Sequence, residues 1–203
     1  MASIPTAPPE PPAPLDLVVL LDDTARPTGT ADRLGVHTDD TPLHLAFSLY
    51  VLDTDGRLLL TRRALGKRTW PGVWTNACCG HPRPGEDMAD AVRRRVHEEL
   101  GLRIDDPAVV LPDFRYRAVD VSGVVEHEVC PVHLVVVPAG ITLLPDPEEV
   151  ADLTWVPWPD VRALVAAAPS LVSPWMALQV AELGERHGDA LAAAVAGPTE
   201  AGS

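Results

Sequence analysis

An α/β sandwich built around a mixed sheet is the fold class this sequence predicts. Short apolar runs of strand length are mixed with three helical patterns, and the mixture shows no regular βαβ repetition. The 203 residues are enough for one domain with a sizeable core, and the chain shows no internal repeat or second compositional block.

Taken in order, the strand-like runs are 15–21 (LDLVVLL), 45–52 (LAFSLYVL) and 58–61 (LLLT). Further candidates follow at 114–119, 124–137 and 153–156. Helical periodicity appears at 87–100, 160–168 and 175–187. Pro159 and Pro174 stand just before the last two, where the missing N–H costs a helix nothing. The flanks differ in composition. MASIPTAPPEPPAP, positions 1–14, holds no Lys or Arg and reads as a flexible Pro-rich tail. Positions 188–203 are Ala- and Gly-rich and are expected to fray, which leaves 15–187 as the folded domain.

The balance of charge excludes some partners. A net charge of −13 and a pI near 4.8 argue against nucleic acid. They leave room for a small anion, because a basic cluster acts locally when charges beyond about 8 Å are screened. No apolar run approaches the roughly 20 residues of a membrane span, and the start lacks the basic and apolar regions of a signal peptide. Three cysteines, two of them adjacent, are no disulfide framework, so a reducing cytoplasm is the expected setting. A monomer is expected.

The stretch CCGHPRPGEDMADAVRRRVHEELGL, 78–102, carries the chemistry. On its helix Arg95, Glu98 and Glu99 share one face. Clustered carboxylates at that spacing suit a hard divalent cation such as Mg²⁺, although an acidic helix face is as often merely solvated. The stretch resembles the Nudix box. Gly80, Glu86, Arg94, Val96, Glu98, Glu99, Gly101 and Leu102 stand in its register, and Arg95 replaces its glutamate. Losing that carboxylate weakens a hydrolase-type metal cluster, while a guanidinium matches phosphate geometry. The altered box therefore argues for diphosphate binding and against diphosphate cleavage.

HLAFS (44–48), TRRALGKRTWPGVWTNACCGHPRPGE (61–86), PDFRYRA (112–118), VEHEVCPV (125–132) and SPWM (173–176) extend the likeness. Together with the box they resemble the type I isopentenyl-diphosphate isomerases, a branch of the Nudix fold. The resemblance implies a Nudix-type α/β/α sandwich with a central mixed sheet. It implies interconversion of isopentenyl and dimethylallyl diphosphate through a tertiary carbocation, supplying C5 units for isoprenoid biosynthesis.

Site residues follow from the same resemblance. His37, His44, His81, Glu126 and Glu128 match the family's metal ligands, a set that suits Mn²⁺ or Zn²⁺. Taken alone, each histidine reads as an ordinary surface or core residue, and Glu-x-Glu on a strand as one solvated face. Glu99 and the backbone carbonyl of Cys79 match the positions that hold Mg²⁺ against the diphosphate. Arg33, Arg63, Lys67 and Arg95 match its diphosphate contacts. Cys79 and Glu128 match the proton-handling pair, Tyr116 the partner of the glutamate, and Trp175 a cation–π contact worth about 2 kcal/mol when desolvated. Without the resemblance Cys79 reads as a small buried hydrophobe, and Tyr116 and Trp175 as core aromatics. His97, His127, His133 and His187 match no ligand position. Two other readings compete with the isomerase: a Nudix hydrolase of a diphosphate-containing substrate, and a binding module without chemistry. The second leaves Cys79, Glu128 and Trp175 unexplained.

Overall fold

Strands form at or near every expected run, and the computed structural model describes residues 16–196. The Pro-rich 1–14 segment and the last seven positions, 197–203, lie outside the described residues. In chain order the strands are β1 (Leu17–Leu21), β2 (Pro27–Asp32), β3 (His44–Leu45), β4 (Phe47–Asp53), β5 (Arg57–Arg63) and β6 (Trp74–Thr75). They continue with β7 (Cys78–Gly80), β8 (Ala108–Leu111), β9 (Arg115–Val119), β10 (Val125–Val129), β11 (Val132–Val137) and β12 (Val150–Pro157). The helices are α1 (Met88–Leu100), α2 (Trp158–Ala167) and α3 (Pro174–Ala196).

The strands divide into two mixed sheets. One is ordered β2-β1-β3-β10-β9; the other is ordered β12-β5-β4-β11-β8, with β6 beside β5 and β7 beside β4. Alternation along β4 builds the sandwich. Phe47, Leu49 and Val51 pack with Ala91, Val92, Val96 and Leu100 of α1. Tyr50 and Leu52 pack on the other face with Trp158 and Val161 of α2 and Met176, Val180 and Leu183 of α3. Burying each large apolar side chain of this kind contributes about 1.5–3 kcal/mol.

The run 124–137 is not one strand, as its composition led us to expect. It breaks at Cys130-Pro131 into β10 and β11, which lie in different sheets. Pro131 has no N–H for a ladder and stands where the chain crosses over. The crossing is pinned on both sides, by Cys130 N donating to Phe114 O at 2.8 Å and Ser48 N donating to Pro131 O at 3.1 Å. Pro159 and Pro174 fall inside the first turns of α2 and α3 rather than before them, at positions whose N–H has no helical acceptor. Helix α3 runs beyond His187, where periodicity faded, to Ala196. Alanine, the strongest helix former, carries it onward.

Helix α1 is bounded by local chemistry. The Asp87 carboxylate accepts from Ala89 N at 2.9 Å and Asp90 N at 3.4 Å, an N-cap worth about 1 kcal/mol. Gly101 ends the helix at φ 65°, and its N–H donates to His97 O. A Cβ at Gly101 would also come within 2.9 Å of Leu144 Cβ. Gly101→Ala is therefore expected to cost more than about 1 kcal/mol, read as a lower urea midpoint at unchanged m-value. An unchanged midpoint would contradict the strain assigned to this turn.

Candidate active site and metal centre

Strand register gathers the predicted metal ligands. In β10, Glu128 stands opposite His44 of β3 on one side and Tyr116 of β9 on the other. His81 follows β7 directly. The loop carrying His37 is tied to β10 where Val125 N donates to Thr38 O at 2.7 Å. Glu128 Oε1 consequently lies 3.2 Å from His81 Nε2 and 3.5 Å from His44 Nε2, and Glu128 Oε2 accepts from the Tyr116 hydroxyl at 3.0 Å. The ligand atoms of His37, His44, His81 and Glu128 all lie within 4.8 Å of one another. Glu126 stands just outside that group, with Oε2 3.0 Å from His37 Nε2 and Oε1 accepting from Thr69 Oγ1 at 2.8 Å.

The donor set fits a divalent cation. His44 Nε2 and His81 Nε2 face each other at 3.2 Å, and buried His37 Nε2 approaches Glu126 Oε2 without the alignment of a hydrogen bond. Convergent nitrogens beside a carboxylate are what a metal takes and what a dry core avoids. The titration behaviour agrees. Burial works against ionised Glu128, but hydrogen bonds and charge from His44 and His81 hold its carboxyl well below the usual range. Burial also opposes the His44 imidazolium, yet Glu128 and the Pro42 carbonyl raise its pKa, whereas burial leaves His81 lowered.

The box residues brace the loop that delivers His81. Arg94 grips Glu86 bidentately, Nε to Oε1 at 2.7 Å and Nη2 to Oε2 at 2.8 Å. Arg94 Nη2 also donates to His81 O at 3.3 Å. Such planar pairs fix geometry as well as energy. Gly80 lets helix and strand meet here, since a Cβ would stand 2.9 Å from Arg95 Cγ and 3.0 Å from Phe47 Cζ.

The adjacent thiols point opposite ways, as an extended segment requires. Cys78 is buried in the core beneath α1, while Cys79 faces the other way, beside Ser48 Oγ at 3.3 Å. Burial pushes the Cys79 thiol up to about 11 against the opposing pull of Ser48 and Asn76. Trp175 and Tyr116 are buried with ring centroids 5.7 Å apart, and the Arg63 guanidinium lies 5.4 Å from the Trp175 ring centre. Cys79, Tyr116, Trp175 and Arg63 line a cavity of about 490 Å³.

The four predicted diphosphate contacts line the same cavity, each with a partner. Arg33 pairs with Asp16, and Arg63 donates to Thr69 O at 2.9 and 3.1 Å. Lys67 pairs with Glu149. Arg95 shares the helix face with Glu98, at 3.0 Å, and Glu99, and reaches Glu149 at 3.4 Å. Burial works against its charge, but Glu99, Glu149 and Glu98 outweigh that and raise its pKa. Burial raises the Glu99 carboxyl despite Arg95. Of the histidines matching no ligand position, His133 is buried with Nδ1 unpaired, and His187 bonds Val110 O at 2.8 Å.

Sequence reasoning missed Ser48, Thr69, Asn76 and Glu149, which touch the site residues. Ser48, Thr69 and Asn76 lie within the segments that carry the family likeness, but only the folded neighbours reveal what they meet. Among the described residues no helix is long and apolar enough to cross a membrane.

This architecture, with its box helix and ligand cluster, defines a NUDIX-domain protein: residues 42–176 match the NUDIX domain family. Solved structures share the fold, among them DR0079 from Deinococcus radiodurans, at TM-score 0.63 and 18% identity over 82% of this chain and 98% of that one. The MutT protein from Methanosarcina mazei Go1 aligns at TM-score 0.56 and 17% identity over 71% of this chain and 94% of that one. Within that class the chain belongs to the isopentenyl-diphosphate Delta-isomerase family. It is 59% identical to the isopentenyl-diphosphate Delta-isomerase of Frankia alni over 84% of this chain and 87% of that protein. The protein of the same name from Mycolicibacterium vanbaalenii is 58% identical over 81% of this chain and 90% of its own length.

If His37 and Glu126 are ligands, His37→Ala and Glu126→Gln each lower the transition metal retained after dialysis, measured by elemental analysis. A full equivalent retained in both variants would remove the two residues from the ligand set.

Proposed function

We infer that this chain interconverts isopentenyl diphosphate and dimethylallyl diphosphate, supplying C5 units for isoprenoid biosynthesis. The observation that carries the reading is the convergence on one cavity of the Cys79 thiol, the Glu128–Tyr116 pair and the Trp175 indole. High identity to isomerases over most of the chain supports it.

The chemistry asks for a proton added to the terminal carbon of an unactivated alkene and another removed from the allylic carbon. Between the two steps lies a tertiary carbocation, so one proton enters and one leaves. We assign these transfers to Cys79 and Glu128, with the Tyr116 hydroxyl hydrogen-bonded to the carboxylate. The reaction is reversible, so each group is the acid in one direction and the base in the other. Trp175 offers its π-face to the cation, and the buried walls keep water from trapping it. Arg33, Arg63, Lys67 and Arg95 hold the diphosphate.

When bound, Mn²⁺ or Zn²⁺ among His37, His44, His81, Glu126 and Glu128 would orient the carboxylates and tune Glu128, and Mg²⁺ at Glu99 and the Cys79 carbonyl would neutralise the diphosphate. We further read the protein as a cytoplasmic monomer acting on a small molecule, because one chain carries the whole site and its three thiols are unpaired.

Purified protein incubated with isopentenyl diphosphate and Mg²⁺ in heavy water should yield deuterated dimethylallyl diphosphate with both phosphates kept. Release of phosphate without isomerisation would instead establish a hydrolase. Cys79→Ala should lower kcat by about 10²–10⁴-fold, the usual contribution of a proton carrier, with KM little changed because the diphosphate contacts remain. Cys78→Ala should retain turnover; the reverse pattern would break the assignment of the thiol.

A further inference from the structure

Asn76, in the link between β6 and β7, is wholly buried and has every amide valence engaged. Its Nδ2 donates to Cys78 O at 2.9 Å and Leu49 O at 3.2 Å. Carbonyls only accept, so these contacts fix which end of the amide is nitrogen. Its Oδ1 must then face the donors opposite. There it accepts from the indole Nε1–H of Trp175 at 3.1 Å and from Thr75 Oγ1 at 3.0 Å.

The same amide straddles the Cys79 sulfur. Nδ2 lies 3.2 Å from Sγ, and Sγ lies 3.3 Å from Oδ1. Oδ1 can accept a hydrogen bond from the S–H, and the N–H that points to Leu49 O can share itself with the sulfur once that proton has gone. Ser48 Oγ holds the sulfur from another side at 3.3 Å, and is itself held by Gln179 Nε2 at 2.9 Å. Gln179 Oε1 in turn accepts from the Tyr50 hydroxyl at 3.0 Å. Turning the amide over would set two carbonyls against its oxygen and the indole N–H against its nitrogen. Each buried group left unpaired costs about 1–3 kcal/mol, so the arrangement is stiff.

We propose that Asn76 is a positioning residue that locks the Cys79 thiol and the Trp175 indole to each other. The proposal rests on the isomerase reading, in which the thiol handles the proton and the indole faces the carbocation. Those groups must stand at a fixed separation from one alkene, and a misplacement near 1 Å can cost about 10²-fold in rate. Asn76 carries no proton to or from the substrate; it acts through the two side chains it holds.

Three measurements test it together. Asn76→Ala should lower kcat roughly 10–10²-fold and leave KM for isopentenyl diphosphate within about threefold, a split that general loosening of the fold would not produce. In the Cys79→Ala background the same change should add much less than it does alone. With ¹⁵N-tryptophan labelling, and the Trp175 signal assigned by its loss in Trp175→Phe, the indole N–H proton should move upfield in Asn76→Ala. It should move downfield in Cys79→Ala, where Oδ1 no longer shares itself with the thiol. Should Asn76→Ala fail to fold, the isosteric Asn76→Asp takes its place in the kinetics, and the Cys79→Ala spectrum still decides the coupling. Wild-type kcat in the Asn76 variants, additive losses, or an indole signal unmoved by Cys79→Ala would each overturn the proposal. If the wild-type protein makes no deuterated product, the isomerase reading fails separately, and the indole spectra still report whether the amide joins thiol to ring.

Discussion

Glu128 is a carboxylate taken almost entirely out of water, and the site is arranged around that fact. An ion so placed costs several kcal/mol unless it is paired and hydrogen-bonded. Strand β10 runs between β3 and β9, so the partners arrive by register: His44 from one neighbour and Tyr116 from the other. His81 comes from a third strand's end. No long side chain has to reach across a gap. The same packing that makes the carboxylate tolerable sets it among three imidazoles, an arrangement that suits a divalent cation.

The second requirement is that two sheets meet at the cavity. The chain leaves one sheet at Cys130-Pro131 and enters the other at β11, and β4 accepts β7 along its edge. The carboxylates of Glu126 and Glu128 thus come from the first sheet and the Cys79 thiol from the second. Helix α1 closes the arrangement, because the Arg94–Glu86 pair holds the His81 loop against it. The box that in a hydrolase serves metal chemistry here works partly as a brace, with Arg95 set among three carboxylates.

How far this could be read from sequence depended on locality. The α1 helix, its Asp87 start and the shared face of Arg95, Glu98 and Glu99 follow from spacing alone. The opposed thiols follow from strand parity. His37, His44 and His81 are far from Glu126 and Glu128 in sequence, so no spacing rule could join them, and only the family resemblance did. The break at Cys130-Pro131 was masked by apolar residues on both sides. Strand β2, PTGTAD, has no alternation to betray it. Asn76 and Glu149 look like loop polar residues until the fold surrounds one with carbonyls and an indole and the other with Lys67 and Arg95.

That last contact changes what binding means at this site. Lys67 and Arg95 are already balanced by Glu149 and Glu99, so a ligand that reached these two side chains would meet no bare charge there. Phosphates that engaged them would have to take over cations that hold carboxylates, which is ion exchange rather than simple attraction. The net gain is the difference between two sets of charge-assisted bonds, and it grows with the valence of the newcomer. A ligand bearing a single phosphate is at a disadvantage twice over, with less charge to trade and too few oxygens to satisfy both cations. A pocket working by such exchange would discriminate by counting charge before it ever sensed the hydrocarbon.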